Sequence, residues 1–565
     1  MVYHIADNII SPLGLTSEEN YQAVKAGRSS LRRYDDRWGL PHPFTASLFS
    51  DQQTRSLAVE GMTRFESLAV RSVQEAVEGS GIDVASPRVV FLLSTTKANI
   101  DGLATSSSAF VSPSVAAKRI AVRLGLVTEP IVVCNACISG VSAIVLAQRL
   151  LEADRYDYAI VCGADVQSRF TISGFASLQA LSVAACKPFD VERTGLNLGE
   201  AAATIVLGNR KPNRSAGHYW VIAKGVVRND AFHMSSPSKH GEGATRALTA
   251  VASHLSSLAF INAHGTATLF NDQMESVAIE RAGLSHVPVN GLKGYLGHTL
   301  GAAGVLETIL CMKSADDHTI LATRGYQEKG VSGHISIASD HIFTSSTSFV
   351  KMISGFGGCN AALFVTKMAP PPQQLTANSQ QLTAKSHIKI TPSGVSLDGK
   401  ALVCSAKGPA LLTSLYKQFV GDYPKYYKMD PLSRLGFVAS ELLLRQESDH
   451  PCQDTSDRAV ILFNHSSSIM ADRLYQESIQ HQENYFPSPS AFVYTLPNMV
   501  TGEIAIRHHY YGETSFYILH HRDDLLMEHI VSASFADGDT KSVLSGWLDY
   551  EDDSHFEADL FIAER

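Results

Sequence analysis

Residues 131–151 read IVVCNACISGVSAIVLAQRLL, an apolar run followed at once by a stretch with helical spacing. The run Ile131 to Cys134 predicts a strand and Val141 to Leu151 a helix, with Cys137 at the handover. The same alternation extends in both directions. Glu66 to Glu78 reads as a helix, Val89 to Ser94 and Tyr158 to Cys162 as strands. Further on come the strand Leu258 to Ala263, helices from about Asp272 to Arg281 and from Leu300 to Met312, and the strand Phe349 to Ile353. Such alternation predicts an α/β fold in which helices cover the sheets.

A thiol at a helix N-terminus feels the positive end of the backbone dipoles, which favours thiolate, so Cys137 is a candidate nucleophile. Its bland alternative is a small buried hydrophobe. Two histidines, His264 and His298, also sit in glycine-flanked turns, each inside or just after a short apolar run. One cysteine and two histidines displayed at strand ends form a set that supports carbon–carbon bond formation. Cys134 and Cys137 also read as CysXaaXaaCys, but no second pair or nearby histidine follows, which leaves zinc or redox chemistry as the minor alternative.

The chain has 565 residues, enough for two or three domains, with 45% hydrophobic and 18% charged residues. A net charge of -8 and the absence of a basic block give no reason to expect nucleic acid. There is no apolar leader and no run of about 18 apolar residues, so a cytoplasmic protein is expected. Eight cysteines over this length do not read as a disulfide framework.

The segment APPPQQLTANSQQLTAK, Ala369 to Lys385, is proline-led and polar and reads as a linker, with domain edges at 368–386. Beyond it the chain repeats its own beginning in degenerate form. MDPLSRLGFVA from Met429 echoes MTRFESLAVRS from Met62, and the strand Ala459 to Phe463 echoes Val89 to Leu93. SerProSer at Ser488 matches SerProSer at Ser112, and Asp549 matches Asp165. Counting back from Asp549 by the Cys137 to Asp165 spacing lands on His521, beside Arg522. The repeat therefore lacks the nucleophile, and it stops before any counterpart of His264 or His298.

Five ordered motifs carry a family resemblance. They are NAC around Cys137, CKPFDVERTGLNLGEAA from Cys186, NAHGTATLFND from Asn262, KGYLGHTLGAAG from Lys293 and SGFGGCNA from Ser354. Residues 1–367 thus resemble a β-ketoacyl-acyl carrier protein synthase of the thiolase superfamily. The resemblance implies a five-layered αβαβα fold of two similar halves, 1–210 and 211–367, and a dimer. It implies that Cys137 accepts the growing acyl chain as a thioester. His264 and His298 would hold the malonyl thioester carbonyl, with Lys293 and Glu307 as an ion pair behind His298. Backbone N–H groups of Cys137 and Phe356 would form the oxyanion hole, Phe356 would also gate the nucleophile, and Thr266, Thr268 and Gly357 would contact the substrate arm. No metal, nicotinamide, flavin or nucleotide is implied, because the phosphopantetheine is carried by the acyl carrier protein partner. Ala267 and Ala201 stand where the family usually has glycine, and Ile138 where a small residue is common; these read as specificity marks.

Residues 387–565 resemble the shortened synthase half-domains that accompany full synthases in aryl polyene and flexirubin-type clusters, on PSAFVYTLPNM from Pro489 and on the repeat; STTKANID from Ser94 is similar to the synthases of those clusters. A silent partner of that kind, a chain-length factor, packs against the synthase across the dimer interface. The chain is thus expected to form a homodimer or an internal pseudo-dimer. Two other readings stay open, a noncatalytic scaffold and a thiolase-type enzyme using coenzyme A, for which Cys359 would be the second cysteine.

Overall fold

A computed structural model describes the chain except residues 105–107, 212–217, 253–257, 369–382, 446, 448–456, 482, 484 and 565. Most of the expected linker therefore lies outside the described residues, and the strands flanking it reach to Met368 and back to Thr383, four residues before the expected domain edge.

One sheet pattern occurs three times. The first copy uses β1 (Val2–Ile10), β2 (Val89–Ser94), β3 (Ile131–Val133), β4 (Tyr158–Asp165) and β5 (Ala201–Gly208) in the order β3-β2-β4-β5-β1, parallel across the first three strands and antiparallel after. The second uses β6 (Tyr219–Asn229), β7 (Phe260–Asn262), β8 (Pro288–Asn290), β9 (Ser348–Ser354) and β10 (Cys359–Met368) in the order β8-β7-β9-β10-β6, with the same directions. The third uses β11 (Thr383–Thr391), β12 (Arg458–Asn464), β13 (Thr514–Ile518), β14 (Ser542–Asp552) and β15 (His555–Glu564) in the order β13-β12-β14-β15-β11. The repeat seen in the sequence is thus a third copy of one topological unit, and Asp549 accepts from the Ser466 N–H as Asp165 does from that of Thr96.

Helices α1 (Ser139–Glu152) and α2 (Ala303–Asp316) meet between the first two sheets and are buried nearly all round, which is why neither shows a polar stripe. They approach closely because Gly140 and Gly304 face each other; a Cβ on Gly140 would lie 2.9 Å from the Val305 nitrogen. In the third unit the counterpart of α1 is α3 (Asp524–Ser534), which exposes Asp524, Leu525 and Glu528. Its outer strands alternate buried and half-exposed residues, and charges pair across the open face, Lys389 with Glu557 at 2.8 Å and Arg522 with Asp559 at 2.9 Å. The third unit is therefore finished as a half-domain: the face that a second half would cover is polar.

The third unit joins the first edge to edge. β3 and β13 pair antiparallel, Val133 opposite Tyr517 and Val132 opposite Ile518, so two five-stranded sheets run into one. Asn135 extends the ladder by accepting the Phe516 N–H at 2.6 Å. Apolar cores continue across the joint, and three buried ion pairs cross it: Lys97–Asp472 at 2.6 Å, Arg149–Glu513 at 2.6 Å and Arg228–Asp537 at 3.1 Å. Breaking one such pair strands a charge in a low-dielectric interior, so the joint tolerates little slippage.

Candidate active site

Cys137 lies in a single 3-10 turn, Ala136–Ile138, between β3 and α1. Ala136 holds φ at +46°, a left-handed conformation that costs a non-glycine residue on the order of 1 kcal/mol and lifts the next side chain out of the strand line. Ser139 fixes the turn by donating to the Ala136 carbonyl at 2.6 Å while accepting from the Asn135 N–H at 2.9 Å. The thiol is 7% exposed, and burial pushes it up to about 12 against the pull of Lys293. The dipole-lowered thiolate expected from the sequence is not the resting state; desolvation outweighs the helix end.

His264 follows β7, and its turn is held by Glu275, whose carboxylate accepts the N–H of His264 at 2.6 Å and of Gly265 at 2.8 Å. His298 sits between Gly297, at φ +69°, and Leu300, at φ +52°. The Leu300 N–H donates to His298 Nδ1 at 3.3 Å, which puts the ring proton on Nε2. Nδ1 of His264 and Nε2 of His298 are buried without a partner among the described residues. The two rings meet edge to face at 4.9 Å, and the donor atoms of Cys137, His264 and His298 all lie within 4.8 Å of one another. Cys134, the other half of the CysXaaXaaCys pair, instead approaches the Thr96 carbonyl at 3.7 Å.

Beneath the histidines lies a buried charge cluster. Lys293 Nζ donates to Glu307 Oε1 at 2.8 Å and to the His264 carbonyl at 2.6 Å, so its direct hold is on His264 rather than on His298. Lys351, which the sequence reading missed, pairs with the other carboxylate oxygen of Glu307. Its signal was a lysine in the middle of the apolar strand SFVKMIS. Burial would raise the Glu307 carboxyl, but the two ammonium groups outweigh it and hold it below its ordinary value. Burial, helped by the Lys293 and Lys351 charges, drives both histidines well below 6.5, so they are neutral donors.

Because the folded histidines titrate below the unfolded ones, the unfolded chain binds more protons as pH drops under 6.5. The stability contributed by the two histidines should therefore fall as pH is lowered from 6.5, while both rings stay neutral above it. Buried carboxyls raised by desolvation, Glu275 to about 7 and Asp165 and Asp272 to about 6, act in the opposite sense, so the histidines are read by difference. Between pH 8 and 5.5 the urea midpoint of the wild type should fall relative to that of His264→Asn/His298→Asn, and a difference that stays constant or reverses contradicts the assignment.

A cavity of about 420 Å³ leads from the surface to the three groups. Thr266 and Thr268 line it, their hydroxyls 2.9 Å apart, and the exposed Leu269 and Phe270 stand at its mouth. Ala267 between the threonines keeps φ at +62°, the glycine-like conformation of the motif, with its methyl added. A second cavity, of about 20 Å³, opens on the other side of Cys137 and is lined by Lys97, Phe175 and Phe356 of the first two units and by Phe492 and Leu496 of the third. Cys137, Phe175 and Phe356 border both, and the rings of Phe175 and Phe356 stack at 6.0 Å. Gly357 is a correction: its N–H is spent on the Met234 carbonyl at 2.6 Å and a Cβ there would meet Asn498, so it faces the half-domain and not the cavity. At the repeat's counterpart of the nucleophile, His521 is exposed at the surface, 3.9 Å from Glu129.

Comparison with known proteins agrees with this architecture. Residues 5–213 match the beta-ketoacyl synthase N-terminal domain and residues 219–327 the C-terminal domain, together more than half of the chain. The chain is 27% identical over 401 residues to 3-oxoacyl-[acyl-carrier-protein] synthase 2 of Coxiella burnetii, covering 64% of this chain and 97% of that protein. It is 26% identical over 412 residues to putative polyketide beta-ketoacyl synthase 1 of Streptomyces cyaneus, covering 63% and 96%. A solved keto synthase–chain length factor superposes over 100% of this chain and 78% of its own, with a TM-score of 0.72 at 14% identity. The ketosynthase solved in complex with its chain length factor from Xenorhabdus doucetiae covers 65% of this chain and 97% of its own, with a TM-score of 0.55 at 24% identity. With both domain matches falling on the two halves that converge on Cys137, His264 and His298, the chain belongs to the beta-ketoacyl synthase family.

Proposed function

We propose that the protein is a 3-oxoacyl-acyl carrier protein synthase type of acyltransferase, which extends a fatty-acyl or polyene-type chain by decarboxylative condensation with malonyl-acyl carrier protein. The observation that carries this reading is the meeting of two cavities at Cys137: one open to the surface beside two neutral histidines, the other buried and mostly apolar.

In the first step the Cys137 sulfur attacks the acyl thioester carbonyl and expels the carrier protein's thiolate, which leaves with the Cys137 proton. The acyl chain is then directed into the inner cavity, which widens as the rings of Phe175, Phe356 and Phe492 move to admit it, and the outer one is free for the malonyl arm beside Thr266 and Thr268. Loss of carbon dioxide leaves an enolate, whose oxygen receives hydrogen bonds from the neutral His264 and His298. Neutral rings suit this role, since they donate without giving up a proton to the nucleophilic carbon. That carbon attacks the acyl-Cys137 carbonyl, the N–H groups of Cys137 and Phe356 hold the oxyanion, and collapse releases the thiolate and a 3-oxoacyl chain two carbons longer. No cofactor enters; the phosphopantetheine belongs to the carrier protein substrate. We place this chemistry in the cytoplasm, and no described helix is long and apolar enough to cross a membrane.

The dimer partner is built into the chain. Phe492 and Leu496 wall the inner cavity from the half-domain, and its volume of about 20 Å³ is little more than a water-sized probe requires, so a longer chain enters only when aromatic rings move. Phe492 fits against Gly174, where a Cβ would lie 2.1 Å from the ring. Phe492→Ala should shift the products to longer chains by at least one two-carbon unit, at a cost of about 3 kcal/mol in stability. Mass spectra of carrier-bound products read this directly, and an unchanged length distribution would remove Phe492 from the pocket wall.

Incubation with acyl- and malonyl-carrier protein, against acetyl-coenzyme A alone, tests the function. Carrier-dependent 3-oxoacyl product with release of carbon dioxide is expected. Product from acetyl-coenzyme A alone would favour a thiolase-type reaction, and no product from either would leave the scaffold reading.

A further inference from the structure

The loop Gly355–Gly358 carries Phe356, whose N–H finds no acceptor among the described residues. Most of the other polar groups of this loop have partners. The Gly355 N–H donates to the Cys359 carbonyl at 2.8 Å, the Gly357 N–H to Met234 at 2.6 Å, and the Gly358 carbonyl accepts from the Asp230 N–H at 2.7 Å. The Phe356 and Gly357 carbonyls are held by asparagines tied to the half-domain. Asn498 Nδ2 donates to the Phe356 carbonyl at 2.9 Å and lies 3.9 Å from Cys359 Sγ. Asn229 Nδ2 donates to the Gly357 carbonyl at 2.9 Å and also reaches Thr514 Oγ1 of the half-domain at 2.9 Å. Packing adds to the hydrogen bonds. A Cβ on Gly357 would lie 2.8 Å from Asn498 Nδ2, and one on Gly502 would lie 2.7 Å from the Gly357 carbonyl, so half-domain and loop touch backbone to backbone.

From this geometry we infer that Asn498 of the half-domain is a positioning residue for the Gly355–Gly358 loop, so that the C-terminal domain completes the catalytic centre and does more than wall the acyl pocket. The inference rests on the condensing reading proposed above, in which the Phe356 N–H is an oxyanion donor. A donor helps only if it is fixed where the charge develops, because reorganisation during the step gives back the gain. Asn498 fixes the Phe356–Gly357 peptide, the unit next to that N–H. Asn498 is itself 2% exposed, and its Oδ1 is buried without a partner, so the side chain is kept in a costly place for the bond its nitrogen makes.

The test uses the full chain carrying Asn498→Ala, Asn498→Asp or Gly502→Ala. The aspartate keeps the shape but offers an acceptor to the Phe356 carbonyl, and the alanine at 502 pushes its Cβ onto Gly357 of the same loop while the Asn498 side chain is retained. Each should lower kcat for condensation about tenfold to a hundredfold while KM for malonyl-carrier protein stays within about twofold. Amide hydrogen exchange at residues 355–358 should quicken while the β3–β13 pairing remains protected. Wild-type kcat and unchanged loop exchange in Asn498→Ala and Gly502→Ala would overturn the inference. Loosened loop amides in a protein whose wild type forms no 3-oxoacyl product would instead uphold the clamp and overturn the condensing reading.

Discussion

Cys137→Ala should reduce condensation by at least about 10⁴-fold, to the level of carrier proteins alone, because the acyl group then has no covalent resting place and transfer must occur directly between two carriers. The expected loss comes from the chemical step and not from the fold. The side chain is small, its turn is held by Ser139 and Asn135, and removing the sulfur breaks none of those hydrogen bonds. Thermal unfolding close to wild type together with no acyl adduct by intact mass is the expected pair of results. Residual turnover within tenfold of wild type would mean that another group carries the acyl chain; Cys359, 1% exposed and engaged with the Phe356 carbonyl at 3.2 Å, would be the one to examine.

Glu307→Gln should have the second largest effect, on stability and rate together. The carboxylate is the shared counter-ion of Lys293 and Lys351, and all three are buried. Substituting a neutral amide leaves two ammonium groups in a low-dielectric site with their mutual repulsion uncompensated, which costs on the order of 3–5 kcal/mol. Lys293 also holds the His264 carbonyl, so its displacement should lower kcat about a hundredfold. Chemical denaturation and condensation rates measured on the same preparation check both. A Glu307→Gln chain as stable as wild type would show that at least one lysine is neutral in the native state. Loss of stability with full activity would show that the cluster supports the fold without aiming His264.

The sequence was most legible where chemistry is written in short motifs. Cys137, His264, His298, Thr266, Thr268, Lys293 and Glu307 each lie in or just after a glycine-bearing turn or motif, and the structure brings them to one cavity or to the cluster beneath it. The third sheet was also readable, since Asp549 and the strand before His465 repeat the beginning of the chain. What stayed hidden depends on distance along the chain. Glu275 caps the His264 turn from the next helix, and Lys351 reaches Glu307 from another strand; neither sits in a motif of its own. Asn498, Phe492 and Leu496 all lie in PSAFVYTLPNM, the stretch that carries the half-domain resemblance, yet a motif read alone does not say that it reaches across into another domain's site. Gly357 was misread because a glycine at φ +88° beside a gating aromatic fits substrate contact as well as it fits a close approach by a second domain. Proton affinity was misread for a related reason: the dipole of a turn is visible in sequence, whereas the burial that overrides it is not.

The central claim is that one thiol holds the acyl chain while the two histidines prepare the nucleophile beside it. A pulse–chase on the full chain tests it most directly: load with acyl-carrier protein, remove the donor, locate the adduct by peptide mass, then add malonyl-carrier protein. The account predicts an acyl group on the Cys137 peptide that disappears in step with 3-oxoacyl-carrier protein and carbon dioxide, and that persists in His264→Ala/His298→Ala. An adduct on any other residue, or one that malonyl-carrier protein fails to discharge from the wild type, would contradict it.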